Sequence, residues 1–298
     1  MIRSEINLSE TSVMRVPTFS IVILSRDKAD YTEACLTSLL TTTGADYEVV
    51  VVDNGSRDRT LGLLESMKLK FSAARARLRV IAKGKNVGCC TGRNEGVAAA
   101  EGRYTVFLDN DTMVKDTDWL VRLRGVLDSD RAIKIVGPKI TYPFEPHWIQ
   151  CAGAAISRTG RVQFRGRGRP RETPEFNVQK DVQCLISACF MFPKSLYDEI
   201  GELDEAFNPI EFEDFDFCYR ARSRGYRVVY TPSAEIHHWE SITSDGTPSL
   251  PNTYLIIKHG MLFKERWRHM FEREDGPPDS ETKWKKIEMP SLHGRRVR

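Results

Sequence analysis

Two aspartates flank an asparagine in Asp109-Asn110-Asp111, directly after the apolar run Tyr104–Leu108. Carboxylates two residues apart offer hard oxygen ligands suited to Mg²⁺ or Mn²⁺. Such an ion neutralises a diphosphate and stabilises it as a leaving group. Asp53 follows the run Val49–Val52 and opens the turn cluster Asp53-Asn54-Gly55-Ser56. Placed there, an aspartate can accept hydrogen bonds from a ribose hydroxyl or a base N–H, or can simply start a turn. Four acidic residues between Glu211 and Asp216 open a later helical stretch. They complement the helix dipole, or one of them, Asp214 beside Glu213, is a general base that deprotonates an attacking hydroxyl. A helix N-terminus lowers an aspartate pKa, so such a base needs burial or a neighbouring carboxylate. His237-His238-Trp239 ends an apolar strand, and a neutral His238 imidazole is compatible with Mn²⁺. Asn86-Val87-Gly88 followed by Gly92-Arg93-Asn94 puts two glycines and Arg93 at a helix start. Phosphate or a base edge can be met at such a place, although a plain strand-to-helix connection gives the same pattern.

These groups need a scaffold that gathers strand ends. Strand-like runs at Phe19–Leu24, Glu48–Val52, Leu78–Ala82 and Tyr104–Leu108 alternate with helical spacing over Ala29–Leu40, Arg59–Leu69 and Thr91–Ala100. That alternation predicts βαβ units, an α/β fold and a parallel central sheet flanked by helices. The unbroken Val49-Val50-Val51-Val52 run fits a sheet covered on both faces. All C-terminal strand ends of an open parallel sheet lie on one edge, where ligands bind. Asp53, Asp109 and Asp111 are thus expected on one rim. No GxxxxGK[ST] loop is present, and the first strand leads into Leu24-Ser25-Arg26-Asp27 rather than GxGxxG. This weighs against P-loop NTPases and dinucleotide-dependent oxidoreductases.

After residue 140 the alternation breaks. Arg158–Arg171 holds six arginines in fourteen residues and reads as a mobile, solvated loop or as a grip for an anionic acceptor. Asp181–Phe192 reads as a strand, Lys194–Ile200 and Glu213–Arg224 as helices closed by Gly201 and Gly225, and Tyr226–Tyr230 and Ala234–His238 as strands. Asn252–Phe271 reads as a long amphipathic helix that packs on the domain or supports a homodimer. Residues 1–16 read as a flexible arm. The tail Lys283–Arg298 carries six Lys or Arg against Glu288 alone, as in a weak membrane-surface contact or an unstructured terminus.

Composition narrows the partners. Lys plus Arg total 44 and Asp plus Glu 41, for a formal charge of +3. That excludes a globally polybasic nucleic-acid binder. No apolar run approaches the roughly 18–20 residues of a membrane span, and no apolar leader core follows Arg3. Seven cysteines without a CxxC pair argue against a disulfide framework or a zinc site and for a reduced, cytoplasmic compartment.

The ordered set Val51-Val52-Asp53-Asn54-Gly55-Ser56, Asn86-Val87-Gly88, Phe107-Leu108-Asp109-Asn110-Asp111-Thr112, Glu213-Asp214-Phe215-Asp216-Phe217-Cys218, Gly225–Tyr230 and Ile236-His237-His238 resembles the inverting family-two glycosyltransferases with the GT-A fold. The resemblance runs from about Phe19 to Trp239. The spacing around Val136-Gly137-Pro138 and Cys151-Ala152-Gly153 is similar to its rhamnosyltransferase-like or galactofuranosyltransferase-like branch. It implies a GT-A domain over 17–240, with a nucleotide-binding half to about 115, an acceptor-binding half from about 116, and a C-terminal helical extension with a basic tail over 241–298. By position it implies that Asp53, Arg93, Asp109 and Asn110 bind the nucleotide sugar, a UDP- or dTDP-linked donor. Asp111 and His238 would ligate Mn²⁺ or Mg²⁺. Asp214 would be the general base with Glu213 beside it, and the acceptor a glycan, lipid-linked or peptide hydroxyl in cell-surface glycan assembly. Two rival readings remain: a nucleotidyltransferase, which needs a basic Gly-rich loop after the first strand, and a non-catalytic scaffold, which would be expected to lose one of Asp109, Asp111, Asp214 and His238.

Overall fold

The computed structural model describes residues 16–240, 252–282, 284–288, 290 and 292. The expected N-terminal arm, apart from Val16, lies outside the described residues, as does the end of the basic tail. Strands β1 (Phe19–Ser25), β2 (Tyr47–Asp53), β3 (Arg77–Ala82) and β4 (Tyr104–Asp109) alternate with helices α1 (Ala29–Leu39), α2 (Thr60–Ala73) and α3 (Cys89–Ala99). The strands pair in parallel in the order β3-β2-β1-β4. Ser25 stands level with Asp53, and Leu24 with Asp109, so both aspartates reach the same sheet edge.

The two-residue period of the strands makes two cores. Ile21, Ile23, Val49, Val51, Val106 and Leu108 face α1, α2 and α4 (Trp119–Ser129), whereas Val22, Val50 and Phe107 belong to the opposite core with α3.

The second half extends this sheet. Its elements are β5 (Thr112–Val114), β6 (Ile133–Thr141), β7 (Ile149–Cys151), β8 (Ala154–Ile156), β9 (Val162–Phe164), β10 (Lys180–Asp181), β11 (Cys189–Pro193), α5 (Lys194–Ile200), α6 (Glu213–Ser223), β12 (Arg227–His238) and α7 (Asn252–Phe271). The main order is β10-β12-β6-β11-β4-β1-β2-β3, with β5 added to β12 and β7 to β6. Strand β11 runs antiparallel to both β4 and β6 and joins the halves. The result is the expected α/β arrangement, a mostly parallel mixed sheet flanked by helices. On the second face, Phe263, Trp267 and Phe271 of α7 are buried with Phe215, Phe217 and Tyr219 of α6. Trp267 Nε1 donates to Asp216 Oδ1 at 3.0 Å, so α7 packs on the domain.

Three expectations need correction. The Asp181–Phe192 run is not one strand; only its ends lie in β10 and β11. The two strands expected over 226–238 are one, β12, with a register shift against β6 between Tyr230 and Glu235. The arginine-rich segment is not a free loop. It contains β9, which pairs with β8, and two of its arginines are tied by charge. Arg167 makes two hydrogen bonds to Glu240, at 2.8 and 2.9 Å, and Arg171 reaches Glu235 at 2.7 Å. Each acid lies more than sixty residues away, so nothing in the local sequence announces the pairing. The segment just after α7 is also anchored, because Glu274 accepts from Tyr219 at 2.7 Å and Arg222 at 2.6 Å.

Candidate active site

The site begins where β4 ends. After Asp109 the chain turns and enters β5, which pairs antiparallel with the end of β12, Thr112 opposite His238. This pairing brings His238 to Asp109 and Asp111. His238 Nε2 stands 3.1 Å from Asp111 Oδ1 and 3.8 Å from Asp109 Oδ2. One ligand atom from each of the three residues fits within a span of 4.8 Å. His238 Nδ1 donates to Gln150 Oε1 at 2.7 Å, which turns Nε2 toward the carboxylates. Burial opposes a charge on His238, but Asp111 and then Asp109 outweigh it and hold the imidazole up at about 9. Two carboxylates and an imidazole nitrogen, oriented by a further hydrogen bond, suit a divalent ion such as Mn²⁺. Asp109, Asp111 and His238 would hold such an ion, and His238 would have to be neutral to ligate it.

Asp53 lies deeper on the same edge, 1% exposed. Its Oδ2 accepts from the Ser56 N–H at 3.3 Å, and its Oδ1 is buried with no hydrogen-bond partner among the described residues. A buried carboxylate oxygen left open is costly unless a ligand donor completes it. The loops around it are latched to each other. Asp27 N–H donates to Ser56 Oγ at 2.7 Å, and Arg57 N–H to Asp27 Oδ1 at 2.6 Å. Asn54 Oδ1 accepts from Val87 N–H at 2.7 Å, and its amide donates to Asn86 Oδ1 at 2.9 Å, joining two motifs of the sequence.

The second acidic group sits across the β4 end. Arg93, one helical turn into α3, lies below the rim and is 3% exposed. Its guanidinium donates to Asp109 Oδ1 at 2.6 Å, Glu213 Oε1 at 3.0 Å and Ser187 Oγ at 2.7 Å. Cys89, one turn earlier, donates to the same Glu213 oxygen at 3.3 Å. Asp214 accepts from the N–H groups of Ser187 at 3.0 Å and Phe215 at 2.8 Å. Those bonds favour its charge, yet burial and then Glu213 push the Asp214 carboxyl up to about 8. Burial and Glu213 likewise push Glu211 up to about 7. The loop before α6 is strained, with left-handed backbone at Glu211 (φ 87°) and Phe212 (φ 72°). Helix α7 holds it there. The Phe212 ring packs on Phe263 at 5.5 Å, and His259 Nδ1 donates to the Ile210 carbonyl at 2.8 Å.

Residues 20–201 match the family model described as Glycosyl transferase family 2. The chain belongs to glycosyltransferase family 2. Among its relatives are the glycosyltransferase AglE of Haloferax volcanii, 30% identical over 72% of this chain and 64% of its own length, and the O-antigen biosynthesis protein RfbC of Myxococcus xanthus, 28% identical over 77% and 18%. The chain thus spans less than two thirds of either relative. A crystal structure of GalNAc-T7 with UDP, GalNAc and Mn²⁺ shares the fold, with a TM-score of 0.60 at 17% identity over 76% of this chain and 44% of that one.

In this family-two chain the fold gathers Asp109, Asp111 and His238 into one cluster and places Glu213 and Asp214 beside it through Arg93 and Ser187. Asn110 points inward, its Nδ2 donating to Thr32 Oγ1 at 2.9 Å. Sequence reasoning missed Gln150 and Ser187. Gln150 carried a signal, a polar residue within the apolar Ile149–Cys151 strand and fully buried. Ser187 carried none. Among the described residues no helix is long and apolar enough to cross a membrane.

Proposed function

We propose that the chain is an inverting, divalent-metal-dependent glycosyltransferase that moves a sugar from a UDP- or dTDP-linked donor to an acceptor hydroxyl. The observation that carries this is the convergence of Asp109, Asp111 and His238 within 4.8 Å. UDP and Mn²⁺, bound in the GalNAc-T7 crystal structure, support the same reading. Asp111 and His238 hold the metal, with Asp109 alongside; when bound, the ion supplies charge neutralisation for the departing diphosphate. The open Asp53 Oδ1 receives an N–H of the base or a ribose hydroxyl. Asp109 faces the ribose and Asn110 fixes the turn between them.

Asp214 is the general base. The acceptor oxygen attacks the anomeric carbon as the carbon–oxygen bond to the diphosphate breaks. The hydroxyl proton passes to the Asp214 carboxylate, and the nucleoside diphosphate departs with the electron pair. A base pKa of about 8 lies close to working pH, where general-base catalysis is effective. Arg93 is a positioning residue in this reading. It fixes Asp109 and Glu213 together.

The test is thermal stability with UDP, dTDP or GDP, each with and without Mn²⁺ or Mg²⁺. A ligand of the native state raises stability by mass action. The expected result is a metal-dependent rise with UDP or dTDP that disappears in Asp111→Ala. Transfer that persists in both Asp111→Ala and Asp214→Asn would overturn the proposal.

A further inference from the structure

A cleft of about 300 Å³ lies away from the metal edge, between the arginine-rich hairpin and the segment after α7. Its walls include Arg161, Arg167, Arg169, Phe164, Phe176 and Trp284. The volume falls at the low end of small-ligand sites, roughly 300–1,000 Å³.

The charges on these walls are unevenly used. Arg167 is built into the fold. Besides its two bonds to Glu240, it donates from Nε to the Lys285 carbonyl at 2.9 Å and stacks 3.9 Å over the Trp284 ring. Arg161 makes a long 3.5 Å contact to the Asp279 carbonyl and lies within reach of the charge of the Asp279 carboxylate, which Ser157 and Thr159 hold by hydrogen bonds. Arg169 has no side-chain hydrogen bond or ion pair among the described residues, and neither Arg161 nor Arg169 has a carboxylate within salt-bridge distance there. Arg169 is therefore open to an anion, and Arg161 is free of any carboxylate within salt-bridge distance although Asp279 lies near it. Trp284 leaves 60% of its surface exposed although one side of its ring carries Arg167. Phe164 meets it edge-on at 5.2 Å. A flat exposed indole beside guanidinium forks offers apolar contact to a sugar ring and paired N–H donors to its acidic group.

The cleft is wired to the reaction site. Glu240, which holds Arg167, also accepts from Tyr142 at 3.0 Å and lies two residues after His238. We infer that this cleft binds an acidic saccharide unit of the acceptor, away from the reacting hydroxyl. The inference rests on the transfer reaction proposed above and names the acceptor class for it.

The test is binding of fluorescently labelled tetragalacturonate to the full chain, with maltotetraose as the neutral control and inorganic phosphate as the competitor. Wild-type protein is expected to bind the acidic oligosaccharide at least tenfold more tightly than the neutral one. Arg161→Gln with Arg169→Gln, and separately Trp284→Ala, should each weaken that binding at least tenfold. Both changes lie at exposed side chains, and the metal-dependent UDP or dTDP thermal shift should survive them, which also reports that the variants are folded. Equal binding of the neutral tetrasaccharide, or unchanged binding in both variants, would overturn the inference. So would phosphate competing as strongly as the unlabelled acidic oligosaccharide, since the sugar ring would then contribute nothing. A retained nucleotide shift beside any of these results would leave the donor-site reading standing; a nucleotide shift absent from the wild type would sink that reading instead.

Discussion

The two halves of the sheet position their polar groups by different means. Around Asp53 the work is done by turn chemistry. Side-chain oxygens of Asp27, Ser56 and Asn54 accept backbone N–H groups, and Gly55 and Gly88 take positive φ values of 78° and 92°. Around Asp214 and His238 the work is done by charge. Arg93 joins Asp109 and Glu213, Arg167 joins Glu240, and Arg171 joins Glu235. Turn chemistry is local and fixes loops that carry a neutral ligand edge. Buried ion pairs are long-range, and they bring together carboxylates that would otherwise repel. The loops around Asp53 should therefore break through backbone strain, and the surroundings of Asp214 and His238 through unpaired charge.

The largest effect separates chemistry from architecture in the second half. Asp214→Asn keeps the shape and one of the two oxygens that accept the Ser187 and Phe215 N–H bonds, while removing the base. Transfer should fall by roughly 10²–10⁴-fold, with the metal-dependent nucleotide shift unchanged. Equal loss of nucleotide binding would make Asp214 a structural residue.

Next comes Arg93→Met. It strands the buried Glu213 without its guanidinium partner and leaves Asp109 only His238, 3.8 Å away, and breaking one member of a buried pair costs about 3–5 kcal/mol. Urea unfolding should show a correspondingly lower midpoint. If the cost stays under about 1 kcal/mol, the value typical of exposed pairs, then the second half is not held by buried charge and the contrast fails. In the first half, Gly55→Ala is the matched test. An added Cβ would lie 2.5 Å from the Lys85 carbonyl carbon at a φ of 78°, and a loss of about 2 kcal/mol is expected. Salt should leave that loss unaltered, because no charge is involved.

The same division explains what the sequence reveals. Asp53, Asp109 and Asp111 are legible because parallel strands bring their C-terminal ends to one edge, and the apolar runs mark those ends. Asp214 is legible as the opening of a helix. Arg93 sits at a helix start in the sequence, which suggests an anion site. Only the packing of α3 against β1 and β2 shows that it points down to Asp109 and Glu213. The arginine-rich segment misleads more. Six arginines with no acid among them look solvated, but β12 carries Glu235 back to Arg171 and the chain just after it carries Glu240 back to Arg167. Ion-pair partners 73 and 64 residues apart leave no periodicity to read.

The smallest expected effect is a shift on the pH axis, and it tests whether the carboxylates beside Arg93 act as one group. Asp214 is held up at about 8 by burial first and by Glu213 second. As a base it must be ionised, so kcat/KM should rise with pH through an apparent pKa near 8 and then level off. Glu213→Gln removes the neighbouring negative charge and leaves Arg93 more favourable to Asp214. Both changes stabilise the Asp214 carboxylate, so the rise should move to lower pH while the plateau is reduced. Stability gives an independent check with a fixed sign. The folded protein prefers the protonated Asp214, whereas the unfolded chain ionises it in the ordinary carboxylate range. Its contribution is therefore present at acid pH and is lost as pH climbs from about 4 to about 8. Asp214→Asn should remove that decline from the unfolding free energy, and Glu213→Gln should shift its alkaline end downward. An acid limb that stays in place in Glu213→Gln would mean that desolvation alone sets the base. Glu213 would then serve Arg93 and the architecture, not the proton transfer.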